Sequence, residues 1–191
     1  MIRVFKDRHD AGAQLAQALH GYTDASDVVV LAHSYTSVPV AYEVATRLGL
    51  PLELLANRPR ELARGTQVNA WPKPEPPLEL EVDVAGKLVM LVDDGDMVRH
   101  MALAIEQLRA RGAVTVIAAS AVAAPHVYTM LHAAADHVAV VLTPQHLYSI
   151  EAWYADLTEP TDDDVRRLLV AAAQNLLGLR RSKFLSRTVD S

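Results

Sequence analysis

One feature constrains this chain more than any other. Short aliphatic and β-branched runs alternate with stretches of ten or more residues that have helical periodicity. The runs are "DVVVLA" (27–32), "PLELLA" (51–56), "KLVMLV" (87–92), "AVTVIAAS" (113–120) and "HVAVVLT" (137–143). A strand that is apolar at nearly every position is buried on both faces, as in a parallel sheet covered by helices on each side. The stretches between the runs are long enough for the crossovers that parallel strands require. The expectation is an α/β fold: a mostly parallel sheet with helices on both faces, forming a single domain over residues 1–179.

Local signals place the helices. "RHDAGAQLAQALHGY" reads as a first helix with Asp10 as N-cap, Leu15, Ala18 and Leu19 on one face, and Gly21 at its end. Pro39 opens "PVAYEVATRL" and Gly49 closes it. A helix after Gly95 runs to about Arg111, with Gly112 behind it. Pro125 opens "PHVYTMLHAAAD", and Thr161 caps "TDDDVRRLLVAAAQNLLGL", whose first turn is acidic. Residues 57–77 hold five prolines and read as an irregular excursion. "LELEVD" and "KLVMLV", on either side of residues 84–86, read as a hairpin. The basic, polar residues 180–191 read as a flexible tail.

Composition narrows the partners. The chain of 191 residues has a net charge of −5 and no cysteine. The charge disfavours a nucleic-acid or anionic-membrane surface, and the lack of thiols excludes disulfides and thiolate metal sites. No apolar run approaches membrane length, so the expected setting is the cytoplasm.

In such a sheet, ligands bind beyond the carboxyl ends of the strands. The residues expected there are His33, Ser34, Tyr35, Thr36 and Ser37; Asn57 and Arg58; Asp93, Asp94, Gly95 and Asp96; Ser120 and His126; and Gln145 and His146. An Asp-Asp-Gly turn can also simply cap a helix, and surface histidines are common. The histidines at positions 33, 100, 126 and 146, with Asp93, Asp94 and Asp96, leave a metal-dependent hydrolase open, although no spacing matches a metal motif.

"KLVMLVDDG" followed by a helix resembles the ribose-phosphate motif of the type I phosphoribosyltransferases. "VFKDRHDAGAQLAQAL", "VPVAYEVATRLGLPLELL" and "PQHLYSIEAWYADLTEPTDDDVRRLL" resemble the start, first crossover and end of small bacterial members of that family. The resemblance implies that Asp93 and Asp94 hold the ribose hydroxyls of phosphoribosyl pyrophosphate by charge-assisted hydrogen bonds. It also implies a loop that wraps the 5′-phosphate at a helix N-terminus, a loop after the first strand that contacts pyrophosphate, and a hood that closes. It implies no cofactor beyond Mg2+, and that only with phosphoribosyl pyrophosphate. By the same resemblance the protein is expected to be a homodimer.

The sequence departs from that pattern where phosphate is handled. Met97, Val98, Arg99, His100 and Met101 stand where the family has Ala-Thr-Gly-x-Thr, which removes two hydroxyls and a glycine. Asp96 adds charge; two like charges about 5 Å apart at an effective dielectric near 20 repel by roughly 3 kcal/mol. Arg99 can offset part of this or bind phosphate directly, and Asp96 is expected to cap the helix in the anion's place. Tyr35, Thr36 and Ser37 replace Arg-Gly-Gly, and residues 57–80 are short for a hood. Trp153 or Tyr148 can stack on a base, though packing competes as the role of Trp153. The expectation is a phosphoribosyltransferase-like protein with a degenerate phosphate loop, catalytically impaired or inactive, that binds a ribose-containing or nucleotide-like ligand or a protein partner. The alternative is an active phosphoribosyltransferase.

Overall fold

The computed structural model describes residues 4–55, 83–96 and 98–189. Among them, β1 (Val28–Ala32), β2 (Leu52–Leu54), β3 (Leu88–Asp93), β4 (Thr115–Val122) and β5 (His137–Leu142) form one sheet in the order β2-β1-β3-β4-β5. Every neighbouring pair is parallel. The helices are α1 (Arg8–Ala18), α2 (Val38–Leu48), α3 (Met101–Ala110), α4 (Pro125–Ala134) and α5 (Asp162–Val189).

Strand periodicity builds two cores. Val28, Val30, Ala32, Met90, Val92, Ile117 and Ala119 face α1, α2 and the start of α5, with Phe5 and Tyr154 in the same cluster. The residues between them, Val29, Leu31, Val89, Leu91, Val116 and Ala118, face α3 and α4. Both faces of β1, β3 and β4 are therefore sealed, which explains why these runs show no polar alternation. The strand order reverses between β1 and β3, and the crevice at such a switch point is where a ligand site is expected.

Several local expectations change. The N-cap of α1 is Asp7, whose Oδ1 accepts from the backbone N of Asp10 at 2.8 Å. Asp10, read from sequence as the N-cap, instead accepts from the backbone N of Lys6 at 3.0 Å, and the cap lies three residues earlier. The helix stops at Ala18, and Gly21 falls in a following 3-10 turn, His20–Tyr22. β3 pairs in parallel with β1 and β4, whereas residues 78–82 of the expected hairpin lie outside the described residues. So do Asn57, Arg58 and the expected hood at 57–80. α3 begins only at Met101, after a 3-10 turn at Val98–His100. At the other end of the chain, α5 continues to Val189 through the segment read as a tail. No proline interrupts "LRRSKFLSR", and most of its residues favour helix. Thr161 does cap α5: its Oγ1 accepts from the backbone N of Asp164 at 3.2 Å, and Asp164 Oδ2 accepts from the backbone N of Thr161 at 3.0 Å.

Candidate functional site

The site is built at the end of β3. Its two consecutive acids leave the strand toward opposite sides of the sheet. Asp93 continues the series Val89, Leu91 on the α3–α4 face, while the carboxylate of Asp94 meets α1 on the other. Each acid first folds its own turn. Asp93 Oδ1 accepts from the backbone N of Gly95 at 2.7 Å, and Asp94 Oδ1 accepts from the backbone N of Asp96 at 3.2 Å. Two overlapping Asx turns hold the chain away from helical geometry here, so α3 starts late. Gly95 adopts φ +114°, and a Cβ there would sit 3.1 Å from the carbonyl oxygen of Val122, so glycine is required for backbone reasons.

The remaining carboxylate oxygens are also engaged. Arg8 Nε donates to Asp94 Oδ2 at 2.7 Å, and Arg8 Nη1 donates to the carbonyls of Leu157 and Thr158 at 3.1 and 3.0 Å. His33 Nδ1 lies 2.9 Å from Asp93 Oδ2. The carboxylate accepts, so Nδ1 carries the proton. Tyr154 donates its hydroxyl to the carbonyl of Asp94 at 2.6 Å. Both acids have no exposed surface. Burial, then the charge of Asp93, push the carboxyl of Asp94 up to about 6, while Arg8 pulls it down. Burial, then the neighbouring Asp94, raise the Tyr154 hydroxyl, which keeps it a donor.

A cavity of about 560 Å³ opens beside this framework. Of the residues expected at the site, Thr36, Gly95, Asp96 and Arg99 line it, together with His126 and Tyr148. The rest do not. Ser34 and Ser37 hydrogen-bond each other at the start of α2, where the backbone N of Ser34 donates to Ser37 Oγ at 2.9 Å. Tyr35 donates to Asp162 Oδ1 at 3.0 Å. His100 sits at the N-cap of α3 without a side-chain capping bond. Trp153 packs against the core, and its carbonyl accepts from the backbone N of Phe5 at 2.9 Å. Tyr148, 94 % exposed, stands at the cavity with its ring stacked on His146.

In the turn that replaces the family's phosphate loop, the described residues 98–101 take no positive φ. Among the described non-glycine residues only Asp24 and Asp27 have positive φ, so Arg99 carries no left-handed conformation. Asp96 does not cap α3, which begins five residues later. It faces the cavity instead, its carboxyl raised by burial and by the charge of Asp93, with Arg8 opposing and Glu159 adding. Among the described residues no three His, Cys, Asp or Glu side chains gather to hold a metal. His33 meets Asp93 alone of the expected histidine–aspartate group, so that grouping does not form.

Sequence reasoning missed Arg8 and Tyr154. Arg8 lies 86 positions from its partner, and no local pattern marks it. The pairing of His33 with Asp93 is visible only once β1 and β3 are known to be neighbours in register.

A family model described as the phosphoribosyl transferase domain matches residues 5–143, most of the chain and every strand of the sheet. The chain belongs to the phosphoribosyltransferase family. A Mycobacterium tuberculosis H37Rv protein, Rv0571c, which carries a provisional phosphoribosyl transferase name, is 28 % identical over 204 residues; the match covers 86 % of this chain and 46 % of that protein. The chain thus spans about half the length of the curated relatives it matches. The crystal structure of TT1426 from Thermus thermophilus superposes with a TM-score of 0.66 at 26 % identity, covering 89 % of this chain and 99 % of that one. These likenesses agree with the α/β phosphoribosyltransferase fold inferred from "KLVMLVDDG". No described helix is long and apolar enough to cross a membrane.

Proposed function

We propose that this phosphoribosyltransferase domain does not transfer phosphoribosyl groups, and that its cavity binds a small nucleotide-like or ribose-containing molecule or a segment of a protein partner. One observation carries the reading: Asp93 and Asp94 are fully buried, and all four of their carboxylate oxygens already accept hydrogen bonds within the protein. A ribose diol would have to enter a fully buried pair that already accepts from an arginine and a histidine. Polar contacts to a sugar then fall to groups such as Thr36 and Ser149 on the cavity wall, with Tyr148, Leu147 and Ile150 offering apolar surface to a base.

Charge supports the same reading. Asp96, Glu151 and Glu159 line the cavity against Arg8 and Arg99, and Arg8 is already bonded to Asp94. A pyrophosphate there meets repulsion that neutral hydroxyls would not supply. Magnesium would have to arrive on the diphosphate, since the described residues offer no acid cluster to hold it. The second reading, an active transferase, is favoured by Arg8 and Arg99 lying on one cavity, where two guanidinium groups suit phosphate.

The discriminating experiment is a melting curve with millimolar phosphoribosyl pyrophosphate and Mg2+, paired with a pyrophosphate-release assay over purine and pyrimidine bases. A ligand at 100 times its Kd raises stability by about 2.7 kcal/mol, or roughly 5–10 °C for a chain of this size. The expected result is no shift and no release. A shift of that size with release establishes the transferase.

A further inference from the structure

We propose that the outer face of α5 is a self-association surface, on which a second copy of this chain packs its own α5 antiparallel about a twofold axis near residues 171 and 172. The surface is independent of the cavity and of whatever the cavity binds.

The helix carries two apolar faces where the fold uses one. Its inner face is filled: Val165 and Ala172 are buried, and Leu168 and Leu169 pack against the core shared with α1 and α2. Roughly a third of a turn away around the helix lie Val170 and Leu177, 51 % and 68 % exposed. Ala173, also exposed, stands between them. Steps of three and then four residues put positions 170, 173 and 177 on one stripe, the spacing that seats one helix against another. A small residue at the middle of the stripe lets two helices approach closely.

The far end of α5 gains most from a partner. From Leu177 to Ser182 every residue is exposed, and Gly178 lowers helix propensity within that stretch. A helix in a protein is held chiefly by packing of an apolar face rather than by propensity.

Charge selects the occupant and its direction. The first turn carries Asp162, Asp163 and Asp164, while the other end carries Arg180 and Arg181, with Lys183 and Arg187 following in the sequence. A parallel copy sets acids on acids and arginines on arginines. An antiparallel copy sets Asp163 of each helix beside Arg180 of the other, twice over by symmetry. The same register sets Val170 beside Ala173 of the other helix. It also lays Leu177 on the aliphatic stem of Arg166, whose guanidinium is already paired with Asp163 at 2.9 Å. A copy of this helix thus supplies an apolar stripe and both charged ends in reverse order.

Sedimentation velocity of the full chain, from micromolar to submillimolar concentration, tests this. The expected result is a monomer–dimer equilibrium that shifts toward monomer as salt rises, because part of the attraction is between exposed charges. Leu177→Glu is expected to weaken the dimer by at least about tenfold, by placing a carboxylate on the apolar stripe. Asp163→Lys and Arg180→Glu are each expected to weaken it several-fold, and the two combined in one chain to restore it, since the reversed charges again meet. A monomer at every concentration overturns the inference. So does a dimer that Leu177→Glu leaves unaltered, or a combined charge variant weaker than either single one. Should Leu177→Glu lose its helical circular dichroism, the charge variants decide, because Asp163 and Arg180 are exposed.

Discussion

The two acids that end β3 are held differently on the two sides of the sheet. On the α1 side, Asp94 is tied to Arg8, and through it to the 157–158 segment; Tyr154 holds its carbonyl, and Phe5 bridges to Tyr154 in parallel. On the α3–α4 side, Asp93 meets one imidazole and the turn of Gly95. The same chemistry, a buried carboxylate with cationic or N–H partners, is woven into the scaffold on one side and confined to a single side chain on the other. A family motif can thus be retained in sequence while one of its acids is tied into the framework and the other to a single side chain and its own turn.

Removing the arginine should break the comparison most strongly. Arg8→Ala leaves Asp94 buried without its counter-charge and frees two carbonyls. The expected loss is about 3–5 kcal/mol, measured by denaturant melts, with Asp94→Asn in the same background recovering part of it. A loss below about 1 kcal/mol would place Arg8 outside the fold's framework. His33→Ala should cost less, about 1–2 kcal/mol, because water can enter and hydrate Asp93 at the outer position. If it costs as much as Arg8→Ala, the two sides are equivalent and the contrast fails.

The pH dependence is the smallest effect. Asp94 is raised to about 6, chiefly by burial. Between the ordinary carboxylate range and about pH 6 the folded protein therefore binds a proton that the unfolded chain does not. Its contribution to stability is present at low pH and is lost as pH rises through about 6. Carboxyl carbon NMR should show Asp94 titrating near that value, and a midpoint near the ordinary carboxylate range would mean that Arg8 outweighs burial.

Much of the fold was legible because its signals are local. Five aliphatic runs separated by helical stretches imply a parallel sheet, and Pro39, Gly49 and Thr161 mark helix ends by side-chain chemistry within a turn. The site was legible only as a neighbourhood. Thr36 and Asp96 reach the cavity because they follow strand ends, a fact that chain order alone supplies, and Arg99 was marked by the resemblance to the family's phosphate loop. What decides the chemistry is non-local. Asp93 and Asp94, adjacent in sequence, read as a pair acting on one sugar; strand alternation sends them to opposite sides, and their partners come from positions 33 and 8. The delayed start of α3 was hidden for a related reason: the acids expected to bind ligand cap their own turns. Polar, basic composition suggests a tail at 180–191, whereas the helix propensity of the same residues carries α5 to Val189.

A crystal of the protein soaked with ribose 5-phosphate is the most direct test of whether the acid pair is closed. Arg8 Nε and His33 Nδ1 are expected to stay within hydrogen-bond reach of Asp94 and Asp93, with any bound sugar density lying in the cavity beside Thr36 and Arg99. Sugar hydroxyls seated on both carboxylates, with His33 swung aside, would contradict the closure.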